Sequence, residues 1–179
     1  MTRVILFDID GTLVLTGGAG VRAMGRAFED VFSIPDAFAN IPMPGRTDAG
    51  ILSDAAVAHG IPTDSAELER FRSVYFTHLR NELHLPGPRK GVMPGVRSLL
   101  ETLAGRGDVY LALLTGNYEE SARAKLDASR SVAVLPVRGI WRRRSGTKPI
   151  AAACTGENSH VWRTSGPPFG ECRDWRHAA

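Results

Sequence analysis

Two carboxylates one residue apart, Asp8 and Asp10, close the apolar run Val4-Ile5-Leu6-Phe7 and are followed by Gly11-Thr12-Leu13. Like charges held that close repel unless a cation or a proton sits between them. A hard divalent ion such as Mg2+ takes oxygen ligands and suits such a pair. A carboxylate beside that ion can attack phosphorus and form an acyl-phosphate. Its neighbour can then serve as general acid and base. The plainer reading is a solvated turn after an edge strand. The full string Asp-x-Asp-Gly-Thr-Leu behind an apolar strand favours the chemical one.

Two further groups have residue types suited to an anion. Thr115-Gly116-Asn117 follows the apolar stretch 109–114 and precedes helical signals with Glu119 and Glu120 in the first turn. A hydroxyl and amides at a strand end, just before a helix N-terminus, can all donate to a phosphate. Taken alone, such a turn is also commonplace. Arg46, in Gly45-Arg46-Thr47-Asp48, could clamp a phosphate or carboxylate by a bidentate contact; the alternative is a solvated arginine beside a helix cap. His59, His78 and His84 follow no metal-ligand spacing and read as surface or partly buried histidines.

These groups need a sheet to hold them. Uninterrupted apolar runs read as strands buried on both faces of a parallel sheet, and ligands collect at the C-terminal edge of such a sheet. Residues i and i+2 of a strand point the same way, so Asp8 and Asp10 could face one small volume. Between the two runs the pattern is helical. Val21, Met24, Phe28, Val31 and Phe32 repeat at helical spacing, and Pro35 closes that helix. Thr47 or Asp48 can cap a second helix carrying Ile51, Leu52, Ala55 and Ala56. Thr63, Asp64 or Ser65 can cap a third, with Leu68, Phe71, Tyr75 and Leu79 on one face. The glycines at 17, 18 and 20 match no P-loop spacing and read as a hinge. A later helix opens near Pro94, with Val96, Leu99, Leu100 and Leu103 as its inner face.

The string around Asp8 and Asp10 resembles the first motif of the haloacid dehalogenase-like hydrolase superfamily, and the apolar strand ending in Thr115 resembles its second. The helical stretch between them is similar to the cap of the phosphoglycolate-phosphatase-like branch. The resemblance implies an α/β fold: a partial Rossmann-like parallel sheet from residues 1–17 and 89–137, with an inserted α-helical cap over 18–88. It implies Asp8 as nucleophile, Asp10 as acid/base, and Mg2+ held by the Asp8 carboxylate and the Asp10 carbonyl. Thr115, with Gly116 and Asn117, would bind the transferring phosphoryl group. Arg46 would shape substrate choice from the cap. The true dehalogenases of the superfamily lack the second aspartate, so Asp10 argues for phosphoryl transfer. The implied activity is hydrolysis of a small phosphate monoester through an aspartyl-phosphate.

The resemblance runs over residues 3–127. Lys148, in Thr147-Lys148-Pro149, is a possible third-motif lysine; otherwise it reads as exposed. The acidic pair of a fourth motif is not found: after Asp127 the only acidic residues are Glu157, Glu171 and Asp174. A catalytically impaired remnant lacking the full metal site is therefore the rival reading. Composition breaks at the same place. Residues 1–128 carry 13 Lys+Arg and 16 Asp+Glu; residues 129–179 carry 9 and 3, with all three tryptophans and both cysteines. Residues 138–179 read as an irregular basic tail. A shifted reading frame, a natural truncation or a divergent C-terminus would each produce such a break.

Arg142-Arg143-Arg144 comes with no aromatic platform or binding fold, so a solvated stretch is favoured over a nucleic-acid contact. No apolar run approaches a membrane span, and the apolar start is broken by Asp8, unlike a signal peptide. Two cysteines make no disulfide framework, which favours a cytoplasmic setting. The expected partner is a small phosphorylated metabolite, with no nucleic acid and no membrane.

Overall fold

The computed structural model describes residues 3–129 and the backbone of 140–142. The chain begins with β1 (Arg3–Phe7) and a short β2 (Val14–Thr16). Three helices follow: α1 (Ala19–Phe32), α2 (Asp48–Ala58) and α3 (Ala66–His84). The chain then returns through β3 (Lys90–Val92), α4 (Val96–Ala104), β4 (Val109–Thr115), α5 (Glu119–Ala128) and β5 (Ile140–Arg142). β1, β4 and β5 form a parallel sheet in the order β1-β4-β5, with Ile5 opposite Leu111 and Phe7 opposite Leu113. The α/β class and the helical insertion follow the sequence expectation.

Four details differ from it. β1 is not buried on both faces: Val4 is 47% exposed, and among the described residues β1 pairs only with β4. Leu99 is also 47% exposed and lies outside the inner face of α4, whose buried residues are Val96 and Leu100. Two short strands, β2 and β3, flank the insertion where no strand is expected, and Gly17 and Gly18 lie between β2 and α1. β2 pairs antiparallel with β3, and α1 already begins at Ala19. Three-residue strands carry too little periodicity to be read from a sequence. Finally, Ile140–Arg142 pairs with β4 inside a stretch read as irregular. The strand expected near 132–137 lies outside the described residues, as do Lys148 and both cysteines.

The helical insertion has its own core. Phe28 of α1 packs against Phe32, Phe38 and Phe71, with ring centroids 4.6–6.0 Å apart. Phe71 stacks on Tyr75 at 6.0 Å. Glu82 of α3 is buried, and its carboxylate meets Arg22 at 2.7 Å and Arg26 at 3.0 Å. Such a pairing fixes α1 against α3, because an unpaired buried carboxylate would be costly. A second core joins sheet and flanking helices through Ile9, Leu13, Leu100, Leu111, Leu113 and Ala122. Tyr118, at the N-terminus of α5, packs into the core of the insertion. The two units therefore meet at the start of α5. Among the described residues, no helix is long and apolar enough to cross a membrane.

Candidate active site

The strand β1 ends at Phe7, so Asp8 and Asp10 sit in the turn beyond it. Burial alternates over these three residues. Asp8 and Asp10 are exposed, while Ile9 between them is fully buried. Ile9 anchors the turn: its carbonyl accepts from the N–H groups of Thr12, Leu13 and Val14 at 3.0–3.3 Å. Gly11, at φ +73°, lets the backbone reverse between them. Both carboxylates thereby line one cavity of about 580 Å³, together with Gly116, Asn117, Arg46 and Lys125.

The far wall of this cavity comes from β4 and α5. Asn117 Nδ2 donates to Asp10 Oδ2 at 2.8 Å and to Thr115 Oγ1 at 2.7 Å. Thr115 is buried at the end of β4, and its hydroxyl also accepts from Asn117 N–H at 3.3 Å. In both bonds Thr115 accepts, which leaves its own proton for another group. Asn117, grouped in the sequence with the phosphate ligands, has its side chain engaged with Asp10, Thr115 and Lys125 instead.

Lys125 was not singled out from the sequence. It is 4% exposed, yet its Nζ reaches Asp10 Oδ2 at 2.7 Å and donates to Asn117 Oδ1. On α5, Ser121, Ala122 and Lys125 are the buried residues, while Glu119 and Glu120 face solvent. A lysine on the inward stripe of an amphipathic helix is the signal that could have identified it. A buried ammonium requires a partner, and here Asp10 supplies it.

The helical insertion closes the cavity from the other side. Thr47 caps α2, accepting from Gly50 N–H at 3.0 Å. Asp48, in the first turn of α2, is 7% exposed. Its Oδ2 accepts from Tyr118 N–H at 2.9 Å and from Ser121 Oγ at 2.8 Å, and its N–H donates to Gly116 O at 2.8 Å. One carboxylate thus serves the N-termini of two helices, α2 and α5. Burial pushes its carboxyl above the usual range, opposed by the charge of Lys125 and by the bonds from Tyr118 and Ser121. Arg46 lines the cavity but is ion-paired with Asp54 on α2. Arg72 of α3 lies 4.8 Å over the Tyr118 ring.

Loop 46–48 approaches the Thr115 turn very closely. A Cβ on Gly116 would lie 2.6 Å from Arg46 O and 2.9 Å from Thr47 Cα. Both are backbone atoms that cannot rotate away. Gly116→Ala is therefore expected to destabilise the chain by about 1–3 kcal/mol, read as a lowered urea midpoint. An unchanged midpoint would mean that the two loops do not touch in solution.

Mg2+ fits the oxygen donors at the turn. Asp8 faces the cavity with one carboxylate bond in place, Ile9 N–H to Oδ1 at 2.8 Å. Asp10 Oδ2 is occupied by Lys125 and Asn117. Among the described residues no three His, Cys, Asp or Glu side chains cluster to hold a metal.

A model of the haloacid dehalogenase-like hydrolase family matches residues 5–160. Among solved structures, a protein described as a predicted phosphoglycolate phosphatase from Haemophilus somnus 129pt aligns with TM-score 0.55 at 18% identity, over 84% of this chain and 66% of that one. A hydrolase from Pseudomonas syringae aligns with TM-score 0.57 at 24% identity, over 73% and 57%. CbbY from Rhodobacter sphaeroides, crystallised with xylulose-(1,5)bisphosphate, aligns with TM-score 0.58 at 15% identity, over 83% and 67%. These likenesses establish the shared fold. The chain spans 66% and 57% of the length of the first two. No curated protein matches.

Proposed function

The chain belongs to the haloacid dehalogenase-like hydrolase family, and from that premise we propose that it is a Mg2+-dependent phosphatase of small phosphate monoesters. The observation that carries this reading is the shared cavity of Asp8 and Asp10, backed by Lys125 and Asn117. Asp8, whose carboxylate accepts from Ile9 N–H and has no ion pair among the described residues, acts as the nucleophile on phosphorus. Asp10 protonates the leaving oxygen, then takes a proton from the water that hydrolyses the aspartyl-phosphate. Asn117 and Lys125 hold the Asp10 carboxylate in one orientation. Thr115 and the amides of its turn donate to the phosphoryl oxygens, and Arg46 faces the substrate from the insertion.

Lys125 takes the charge-balancing role for which Lys148 was the sequence candidate. An ammonium in a cavity walled by protein offsets anionic charge far better than one in bulk water. Mg2+, held by the Asp8 carboxylate and the Asp10 carbonyl, supplies neutralisation of the charge that develops on the phosphoryl oxygens. The helical insertion acts as a cap that excludes bulk water. The proposed substrate is a small phosphorylated metabolite in the cytoplasm; no nucleic acid or membrane is involved.

The test is hydrolysis of p-nitrophenyl phosphate and a panel of alkyl and sugar phosphates. Turnover is expected with Mg2+, lost in EDTA and restored by added Mg2+. Absence of turnover across the panel would favour the impaired remnant.

A further inference from the structure

Helix α5 carries Lys125, yet it begins without a capping side chain of its own. Its N-cap residue is Tyr118, whose side chain makes no capping bond and packs into the core of the insertion. Tyrosine is not among the short polar residues that close a helix start. Three residues on, a Glu or Gln would take the N-cap N–H from within the helix; Ser121 stands there instead. That N–H goes to Asp48 Oδ2 at 2.9 Å, and Ser121 Oγ donates to the same oxygen at 2.8 Å. The carboxylate that closes α5 therefore comes from the insertion, 70 residues earlier in the chain.

Asp48 has no comparable duty to its own helix. Thr47 is the N-cap of α2 and accepts from Gly50 N–H at 3.0 Å. Aspartates are seldom buried without a partner, and the partners that justify the burial of Asp48 all belong to the α5 side. Its backbone is committed in the same direction, with its N–H on Gly116 O at 2.8 Å. Ser121 and Lys125 lie one turn apart on the buried face of α5. What fixes the first turn therefore fixes the ammonium, whose Nζ reaches Asp10 Oδ2 at 2.7 Å and donates to Asn117 Oδ1. Asn117 directly precedes the residue whose N–H Asp48 holds, and it donates to the same Asp10 oxygen at 2.8 Å.

We propose that Asp48 is a positioning residue for Asp10: from the insertion it supplies the N-terminal cap that α5 lacks, so that docking of the insertion sets Lys125 and Asn117 on the Asp10 carboxylate. The inference rests on the phosphatase reading for what Asp10 does. Withdrawal of the insertion would take Asp48 away and leave the first turn of α5 with unsatisfied N–H groups. The acid/base is then assembled only when the site is closed to bulk water.

The experiment reads Lys125 directly, in the full chain with Mg2+. Acetylation of each lysine by an N-hydroxysuccinimide ester is followed by mass spectrometry, with Lys90 as the internal reference, and kcat is measured on p-nitrophenyl phosphate. In Asp48→Ala, Lys125 should be acetylated about fivefold faster or more, the scale of a lost helix cap, with Lys90 unchanged. The same variant should lose about ten- to hundredfold in kcat through misplacement of the Asp10 partners. Asp48→Asn keeps an acceptor oxygen in the same shape and should restore most of both. Where Asp48→Ala does not fold, Ser121→Ala removes one of the two bonds and should raise the Lys125 rate by about twofold or more. An unchanged Lys125 rate, an equal rise at Lys90, or a wild-type kcat in Asp48→Ala overturns the proposal. If the wild type hydrolyses no ester, the phosphatase reading fails, and the labelling alone decides whether Asp48 holds Lys125 in place.

Discussion

Asp8→Asn is expected to remove phosphate-ester turnover almost entirely, by about 10⁴- to 10⁶-fold in kcat, the scale seen when a nucleophile is deleted. The substitution keeps the shape of the side chain and the oxygen that accepts Ile9 N–H. It removes the negative charge and the electron pair that attacks phosphorus. Asp8 is exposed, so the folded state should change by less than about 0.5 kcal/mol. Loss of activity without loss of stability separates a chemical role from a structural one. Equal rates for the wild type and the Asp8→Asn variant would exclude the assigned nucleophile.

Lys125→Met is the second large effect. The lysine has three donors, of which two are engaged, with Asp10 Oδ2 and Asn117 Oδ1. Methionine retains the length of the stem and removes the charge. The Asp10 carboxylate then loses its cationic partner and the cavity loses its buried positive charge. A fall of about 10²- to 10³-fold in kcat is expected, comparable to deleting one preorganised electrostatic contact. Asp10 is about half exposed, at 47%, so water can re-solvate it and the stability loss should stay below the roughly 3–5 kcal/mol of a fully buried broken pair. Lys125→Arg should not rescue, because the planar guanidinium cannot occupy the place of a compact ammonium. Wild-type rates in Lys125→Met would return the charge-balancing role to another cation.

Much of this site was legible in the sequence because its signals are local. An apolar run ending in Asp-x-Asp-Gly specifies a strand and a turn, and the structure retains the alternation that turns both carboxylates to one side. Thr47 caps α2 within the sequence window that named it. The groups that could not be read are those whose partners lie far along the chain. Lys125 meets Asp10 across 115 residues, and Asp48 meets Ser121 across 73. A lysine at an inward helix position and an aspartate at a helix start both have ordinary local explanations, solvation and capping. Only the docking of the cap on α5 distinguishes them. Leu99 failed for the converse reason: its spacing suits the apolar stripe of α4, but that face of the helix is open among the described residues. Tyr75 reads correctly as a core residue.

The central claim is that Asp8 takes up the phosphoryl group. Mixing the full chain with an aryl phosphate and Mg2+, quenching in acid within milliseconds, and mass-analysing the N-terminal peptide tests it most directly. A phosphoryl group on Asp8, present in the wild type and absent in Asp8→Asn, is the predicted result. Sustained turnover with no phosphoryl group on that peptide at any quench time would contradict the account.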